Sequence, residues 1–537
     1  MNFDPNSYRY NSKRNIVYSK NGMVATSHPL AAQAGLDTLK RGGNAVDAAI
    51  ATASTLTVVE PTSNGIGGDC FAIVWHNNEL HGLNSSGHSP SNISIEKLKE
   101  DGKEDIPKFG WEPVTVPGVP GGWAKLWKNF GKIDYSEVFQ PAIDIAENGH
   151  PISVTAAYYW QRALKTYKKL AEERPEIFKY WMNTFSYNGK APKAGEIWKF
   201  TDHADTLKRI ANSLSRGFYE GEIAKKIDKF SRKTGGYIRY EDLKEYEAKI
   251  VDPVNINYKG YDVWEIPPNG QGITALMALN ILKDIHLKGR SKDEIKHIQI
   301  EAMKLAFADT KAHVTDPDFM KLKVSDLLSK EYADKRKSLI KEKAKKYDTG
   351  FPHEGGTVYL STADKDGNMV SFIQSNYMGF GSGVVVPKTG IALQNRGKNF
   401  SFDKNHPNSL EPNKRPYHTI IPGFITKDEK AVGPFGVMGG FMQPQGHLQV
   451  LTNMIDDDMN PQEALDCPRW MFSKDKTVFV EKDFDTNLAK KLQRRGHNIK
   501  VPLSSGMFGR GQIILKNENG SYVGGTEKRT DGTIAAY

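Results

Sequence analysis

The sequence predicts an α+β protein built on two antiparallel sheets covered by helices, and three observations carry that prediction. Residues 357–537 read as a succession of short strands broken by two helical stretches, 445–455 and 486–495. Within that region Asp366-Gly367 separates two runs rich in β-branched and aromatic residues, a hairpin signal because glycine takes positive φ without a Cβ penalty. Upstream, residues 119–250 read as mostly helical, with Trp, Tyr and Lys spread along amphipathic faces. Strands gathered in one region and helices in another favour sheets with helical covers over an alternating parallel fold.

In chain order, residues 1–22 are polar and rich in Asn, Tyr and Lys, and read as a peripheral arm. Residues 29–40 have helical periodicity and stop at Gly42-Gly43; Asn44 then caps a very apolar helix over 45–58. Gly65-Ile66-Gly67-Gly68 precedes a strand instead of following one and opening a helix, the wrong order for a dinucleotide fingerprint. Residues 71–75 and 79–83 form a hairpin through Asn77-Asn78. Trp123, Trp127, Trp160 and Trp181 read as core, and 252–265 as two short strands. Asn269-Gly270-Gln271-Gly272 leads into a helix over 273–285, and Ser291 with Glu294 forms a capping box for a helix reaching about Val314. The helix after Ser329 is heavily charged and reads as a solvated face, ending in a flexible run over 347–352. The later strands are expected at 357–363, 369–375, 383–386, 391–393, 419–424, 431–438, 477–480, 512–515 and 521–523.

The 537 residues are 38% hydrophobic and 25% charged, enough apolar material for a large core. A net charge of +10 rests on lysine in helical surface runs, with no basic stretch interleaved with aromatics, which argues against nucleic-acid binding. Two cysteines, Cys70 and Cys467, imply no disulfide framework. The N-terminus lacks an apolar signal core and no stretch reaches the roughly 20 apolar residues of a membrane span, so a cytoplasmic location without membrane contact is expected. The 14 histidines show no metal-ligand spacing, and Gly379-Phe380-Gly381-Ser382-Gly383 lacks the lysine of a phosphate loop; no metal and no cofactor are expected.

Chemistry concentrates at Gly355-Gly356-Thr357, where the hairpin begins. A threonine hydroxyl needs a base beside it to act as a nucleophile. Cleavage of the Gly356–Thr357 bond would supply one, the new α-amino group, whose pKa of about 7.7–8.0 leaves a useful neutral fraction near pH 7. Taken alone, Gly-Gly-Thr reads as a loop entering a strand.

The order of motifs around it resembles the γ-glutamyltranspeptidase family of N-terminal-nucleophile hydrolases, from Met23-Val24-Ala25-Thr26 to the last residue. The resemblance is carried by Gly42-Gly43-Asn44-Ala45-Val46-Asp47, Gly65-Ile66-Gly67-Gly68, Val116-Pro117-Gly118, Gln140-Pro141-Ala142, Thr357 with Asp364-Lys365-Asp366-Gly367-Asn368, and Phe380-Gly381-Ser382-Gly383. It continues through Pro412-Asn413-Lys414-Arg415-Pro416, Gly439-Gly440, Ala464-Leu465-Asp466-Cys467-Pro468-Arg469 and Arg529-Thr530-Asp531-Gly532. It implies a four-layer αββα sandwich, assembled as one intertwined body from two pieces of a precursor cut between Gly356 and Thr357. Residues 1–356 would be the large subunit and 357–537 the small one, and a homodimer of such heterodimers is compatible with it.

Residue by residue, the resemblance makes Thr357 the nucleophile, Ser375 its hydroxyl partner, and Gly439-Gly440 the backbone donors to the oxyanion. The acyl pocket departs from the transpeptidase pattern. Ser86 stands for the arginine that holds the glutamyl α-carboxylate, Asn399 for the aspartate that receives the α-amino group, and Arg396 for a nearby glutamine. His418 and Thr419 stand for two serines, and Tyr377 for a smaller polar residue. With the zwitterion clamp largely gone, the expected acyl group carries a carboxylate without a free amine, for example a glutaryl-like group or an internal γ-glutamyl unit, with Arg396 as its carboxylate partner. The short segment 402–411 implies an open site, as in the family's acylase-like branch. The expectation is an autoprocessing hydrolase or acyltransferase acting on small-molecule or peptide amides. Ordinary γ-glutamyl transfer with glutathione hydrolysis, and an inactive ligand-binding homologue, are the alternatives.

Overall fold

A computed structural model describes residues 14–347 and 356–537. Two seven-stranded antiparallel sheets form its centre. One runs, edge to edge, Thr533–Ala536, Gly22–Thr26, Gly356–Asp364, Met369–Tyr377, Asp69–His76, Glu79–Ser85, Lys249–Val251. The other runs Val17–Ser19, Tyr522–Thr526, Arg510–Lys516, Lys430–Met438, Gly423–Lys427, Tyr261–Glu265, Val254–Tyr258. Each sheet therefore draws strands from both sides of the Gly356–Thr357 junction, so neither part could bury its apolar faces alone.

Strand alternation sorts the core into layers. Tyr359, Ile373, Phe71, Ile73 and Met23 point between the sheets, where they meet Phe424, Met438 and Ile514. Val358, Leu360, Val370, Phe372, Ala72 and Val74 point the other way, under the buried helix Ala45–Val59 and its neighbours. On the far side Val437, Phe435, Ile513 and Val263 pack under Gly272–Leu282, Lys292–His313 and Gln443–Ile455. The result is the expected helix–sheet–sheet–helix sandwich. The sheets approach closely at Gly436, where a Cβ would stand 2.4 Å from the Tyr359 ring.

Local signals hold where a specific side chain enforces them. Asn44 accepts from the Val46 and Asp47 N–H groups, and Asp47 returns a bond to the Asn44 N–H. The Asp364 carboxylate accepts from Asp366 N and Asn368 N inside the hairpin and from Ala45 N at the start of the neighbouring helix. Asn77 and Asn78 both take positive φ at the predicted turn. Trp123, Trp160 and Trp181 are fully buried, while Trp127 is half-buried.

Other expectations are corrected. Residues 383–386 and 391–393 form no strand; a single bridge, Val385–Ala392, joins them. The strand expected at 419–424 begins at Gly423, because residues 419–421 are bound by the side chains of Gln271 and Gln443. Of the expected arm, Val17–Ser19 is an edge strand paired with Tyr522–Thr526; residues 1–13, and 348–352 of the expected flexible run, lie outside the described residues. Among the described residues no helix is long and apolar enough to cross a membrane.

Candidate active site

Thr357 is the second residue of the strand Gly356–Asp364, and its side chain is buried. The neighbouring strand brings Ser375 opposite it. Thr357 Oγ1 donates to Ser375 Oγ at 3.1 Å, and Ser375 Oγ donates to the Gly356 carbonyl oxygen at 2.5 Å. Ser375 Oγ also accepts from the Tyr377 N–H at 2.8 Å. The hydroxyl of Thr357 and the carbonyl that precedes it thus share one partner. A bulge between Gly356 and Val358, and a Tyr377 φ of 76°, shape this corner. Gly356 has no room for a side chain: a Cβ there would stand 2.9 Å from Gly379 N and 3.2 Å from Ser63 Cα. Thr357 itself is buried here, 1% exposed.

The residues expected to line the acyl pocket form a second, adjoining network. The Tyr377 hydroxyl donates to Asn399 Oδ1 at 2.5 Å, and Asn399 Nδ2 donates to the Tyr417 carbonyl. The Arg396 guanidinium lies 4.3 Å over the Tyr377 ring, and its Nη1 donates to Thr419 Oγ1 at 2.6 Å. Arg396 is fully buried, yet its Nε and Nη2 have no hydrogen-bond partner among the described residues. Gly439-Gly440 ends the strand Lys430–Met438 with φ values of 141° and 59°, a turn that only glycine adopts readily. Gln271 fastens this turn to the pocket: its Nε2 donates to the Thr419 carbonyl at 2.6 Å and to the Gly440 carbonyl at 2.9 Å.

Ser86 does not reach Arg396. Its hydroxyl donates to Asn84 Oδ1, and Asn269 links it to residues 416–418. His418 turns away from Thr419; its Nε2–H donates to Asp69 Oδ2 at 3.0 Å. Asp69 Oδ1 accepts from Gln394 Nε2 and from the Gly87 and Gly118 N–H groups. Burial pushes the Asp69 carboxyl up to about 7, opposed by Arg396, Gln394 and those two backbone donors. Burial, with Arg396 nearby, pushes His418 far below its ordinary value, so it is neutral. Burial likewise lowers Arg396 to about 10, which leaves it a cation at neutral pH.

Sequence reading missed Asp69, Gln271 and Gln394. Asp69 directly follows Gly65-Ile66-Gly67-Gly68, a run read as a family motif and weighed against a dinucleotide fingerprint but given no role in the site, and Gln271 lies within the Asn269–Gly272 run noted only as a helix start. Neither has a local spacing that points to a site; Gln271 meets the Thr419 carbonyl 148 residues on, and Asp69 meets Gln394 and His418 at 325 and 349 residues on. The described residues also gather His297, Glu301 and His497 with ligand atoms within 4.8 Å of one another. The buried Lys304 ammonium already sits 2.6 Å from the Glu301 carboxylate, an arrangement that disfavours a second cation.

Comparison with known proteins agrees with this geometry. The family model described as gamma-glutamyltranspeptidase matches residues 31–537. The chain is 37% identical over 521 residues to the glutathione hydrolase-like YwrD proenzyme of Bacillus subtilis, covering 95% of this chain and 97% of the relative. It is 31% identical over 534 residues to the oxamate amidohydrolase proenzyme of Klebsiella pneumoniae, covering 97% and 99%. A crystal structure of cephalosporin acylase from Bacillus halodurans superposes with a TM-score of 0.97 at 56% identity, covering 100% of this chain and 99% of that one. A match of this extent, over a shared αββα sandwich, shows that the chain belongs to the gamma-glutamyltranspeptidase family of N-terminal-nucleophile hydrolases.

Proposed function

We propose that this chain is an autoprocessing amide hydrolase or acyltransferase whose nucleophile is Thr357 and whose acyl substrate bears a carboxylate without a free amine. The observation that carries the reading is the shared contact of Thr357 Oγ1 and the Gly356 carbonyl with Ser375 Oγ. In the precursor, Thr357 Oγ attacks the Gly356 carbonyl carbon. Ser375 accepts the departing hydroxyl proton and donates to the carbonyl oxygen as it gains charge. The Gly356–Thr357 C–N bond breaks, an ester to Thr357 Oγ forms, and water hydrolyses it. Residues 1–356 and 357–537 result, with Thr357 bearing a free α-amine. The proenzyme names of the relatives support this step.

In the mature enzyme that α-amine takes the Thr357 hydroxyl proton as Oγ attacks the substrate carbonyl. The Gly439 and Gly440 N–H groups hold the oxyanion; each such donor typically contributes about 3 kcal/mol. Collapse expels the amine product, protonated by the α-ammonium, and water or a second amine then resolves the acyl ester. Arg396 receives the acyl carboxylate through its unpartnered Nε and Nη2. An α-ammonium on the acyl group would find Arg396 and the neutral Asn399, not a carboxylate. The names of the relatives, hydrolases and acylases of amides, fit this class. Hydrolysis of glutaryl and γ-glutamyl anilides by the same preparation tests the proposal: the glutaryl compound is the better substrate, and a clear preference for the γ-glutamyl compound overturns the pocket assignment.

A further inference from the structure

Behind the Gly439-Gly440 turn lie a carboxylate and an imidazole that the nucleophile corner does not use. Glu265 ends the strand Tyr261–Glu265, and His447 stands in the second turn of the helix Gln443–Ile455. His447 Nδ1–H donates to Glu265 Oε1 at 2.6 Å, and both side chains are fully buried. Glu265 Oε2 and His447 Nε2 have no hydrogen-bond partner among the described residues. The Phe435 ring packs 4.9 Å from the imidazole, within the apolar layer under the helices. A buried pair of this kind stabilises little against an apolar replacement; what it can contribute is a fixed arrangement of the elements it joins.

Those elements are the two that carry the site. On the His447 side, Gly440–Met442 forms a 3₁₀ turn that runs straight into the helix Gln443–Ile455, so a shift of the helix carries the glycine turn with it. On the Glu265 side, Gly272 packs against the carboxylate: a Cβ there would stand 2.7 Å from Glu265 Cβ and 2.9 Å from Oε2. Gly272 directly follows Gln271, whose Nε2 donates to the Gly440 and Thr419 carbonyls and whose N–H donates to the His418 carbonyl. One turn before His447, Gln443 Oε1 accepts from the Ile421 N–H at 2.9 Å. Thr419 Oγ1 in turn accepts from Arg396 Nη1. Residues 418–421, which hold the guanidinium, are therefore fastened to the turn at 439–440 by Gln271 and Gln443. Glu265 and His447 close the frame, joining the strand end before Gln271 to the helix that begins at Gln443.

We propose that Glu265 and His447 are a positioning pair that fixes the span between the glycine turn and Arg396, and so sets the length of the acyl chain the enzyme accepts. With the reacting carbonyl at Gly439-Gly440 and the far carboxylate on Arg396, that span is the ruler for a dicarboxylic half-amide. Neither residue touches the substrate; both act through Gln271, Gln443 and the helix. A misplacement of about 1 Å at a reacting centre can cost about 10²-fold in rate, so a loosened frame loses turnover before it loses binding. The inference rests on the acyl reading above for what lies at the Arg396 end, and on the frame alone for the hold on the glycine turn.

Four anilides test it on the mature enzyme: succinyl, glutaryl and adipyl, which differ by one methylene each, and butyryl, which lacks the carboxylate. Wild type favours the glutaryl compound over its two neighbours by about tenfold or more in kcat/KM. Glu265→Leu/His447→Phe exchanges the pair for apolar groups, leaves no unpaired buried atom, and keeps a Tm near that of wild type. Its kcat falls about tenfold or more on the glutaryl and butyryl compounds while KM moves less than about threefold, and its preference among the three lengths shrinks to about threefold or less. Glu265→Gln, which keeps an acceptor for His447, restores both kcat and the length preference. Maturation, followed as loss of the uncut band, proceeds at the wild-type rate in both variants, because it draws on Ser375 and not on the glycine turn; equal losses in maturation and turnover reduce the pair to packing and overturn the proposal. A length preference unchanged in the double variant overturns the ruler, whatever its kcat. Wild type that hydrolyses butyryl anilide as well as the glutaryl compound, with no length preference, overturns the acyl reading at Arg396 and the ruler with it. The butyryl kcat of the double variant then still reads the glycine turn, and a wild-type value overturns the hold on that turn.

Discussion

Replacing Ser375 with alanine tests the maturation chemistry at its most connected atom. Ser375 Oγ makes three hydrogen bonds: it accepts from Thr357 Oγ1 and Tyr377 N, and donates to the Gly356 oxygen at 2.5 Å. The donated bond is aimed at the atom that gains charge when Thr357 attacks, and loss of one such donor typically costs about 10²–10³ in rate. The two accepted bonds hold the attacking hydroxyl and the strained Tyr377 backbone. Leaving the buried Tyr377 N–H unpartnered costs about 1–3 kcal/mol of stability. Ser375→Ala therefore matures at least about 10²-fold more slowly, followed as loss of the uncut band over time, and its Tm falls as well. Ser375→Thr keeps the hydroxyl and matures within about tenfold of wild type, which separates the chemical role from packing. Maturation of Ser375→Ala at the wild-type rate would refute the reasoning.

Three further outcomes are expected. Arg396→Met lowers kcat/KM on a glutaryl anilide by about 10- to 100-fold while a butyryl anilide changes far less, because a charge-assisted bond is worth about 1.5–3 kcal/mol; equal effects on both would remove Arg396 from substrate recognition. Gly436→Ala drives a methyl to within 2.4 Å of the Tyr359 ring, which Ser361 and Ser371 hold through its hydroxyl, and calorimetry should show a loss of about 1–3 kcal/mol. Burial pushes Glu60 up from 4.5 to about 7, against the pull of Arg510 and Ser27. An acid raised in the folded state contributes stability that is complete below its unfolded value, near 4.5, and lost as pH rises through about 7. Thermal melts should show wild type losing stability relative to Glu60→Gln between those two pH values, and parallel curves would contradict the assignment.

The fold was legible where side chains act on their own neighbourhood. The Asn44 cap, the Asn77-Asn78 turn and the Asp366-Gly367 hairpin are local chemistry, and each stands where the sequence places it. Residues 383–393 have strand composition but join no sheet, making only the isolated bridges Val385–Ala392 and Gly67–Leu393, since pairing is decided by distant chain. Thr533–Ala536 is a strand of four residues whose partner, Gly22–Thr26, lies at the other end of the chain, while the three-residue strand Trp470–Phe472 pairs with the nearby Thr477–Val480. In the site, Thr357, Ser375, Tyr377, Arg396, Asn399 and Thr419 form one connected set, as the motif order implies. Ser86 and His418 do not join it directly, because Asn84 and Asn269 hold the first and Asp69 the second. Burial creates that difference: once Asp69 is enclosed it needs donors, and His418 is one of the four it finds. No periodicity reports such a demand.

Mass spectrometry of catalytically active protein after reaction with an acyl-directed electrophile addresses the central claim most directly. The account predicts two polypeptides, the second beginning at Thr357, with the acyl adduct on that threonine, and a Thr357→Ala protein that stays a single 60.0 kDa chain without activity. Active protein with Gly356 and Thr357 still joined, or an adduct on any other residue, would contradict it.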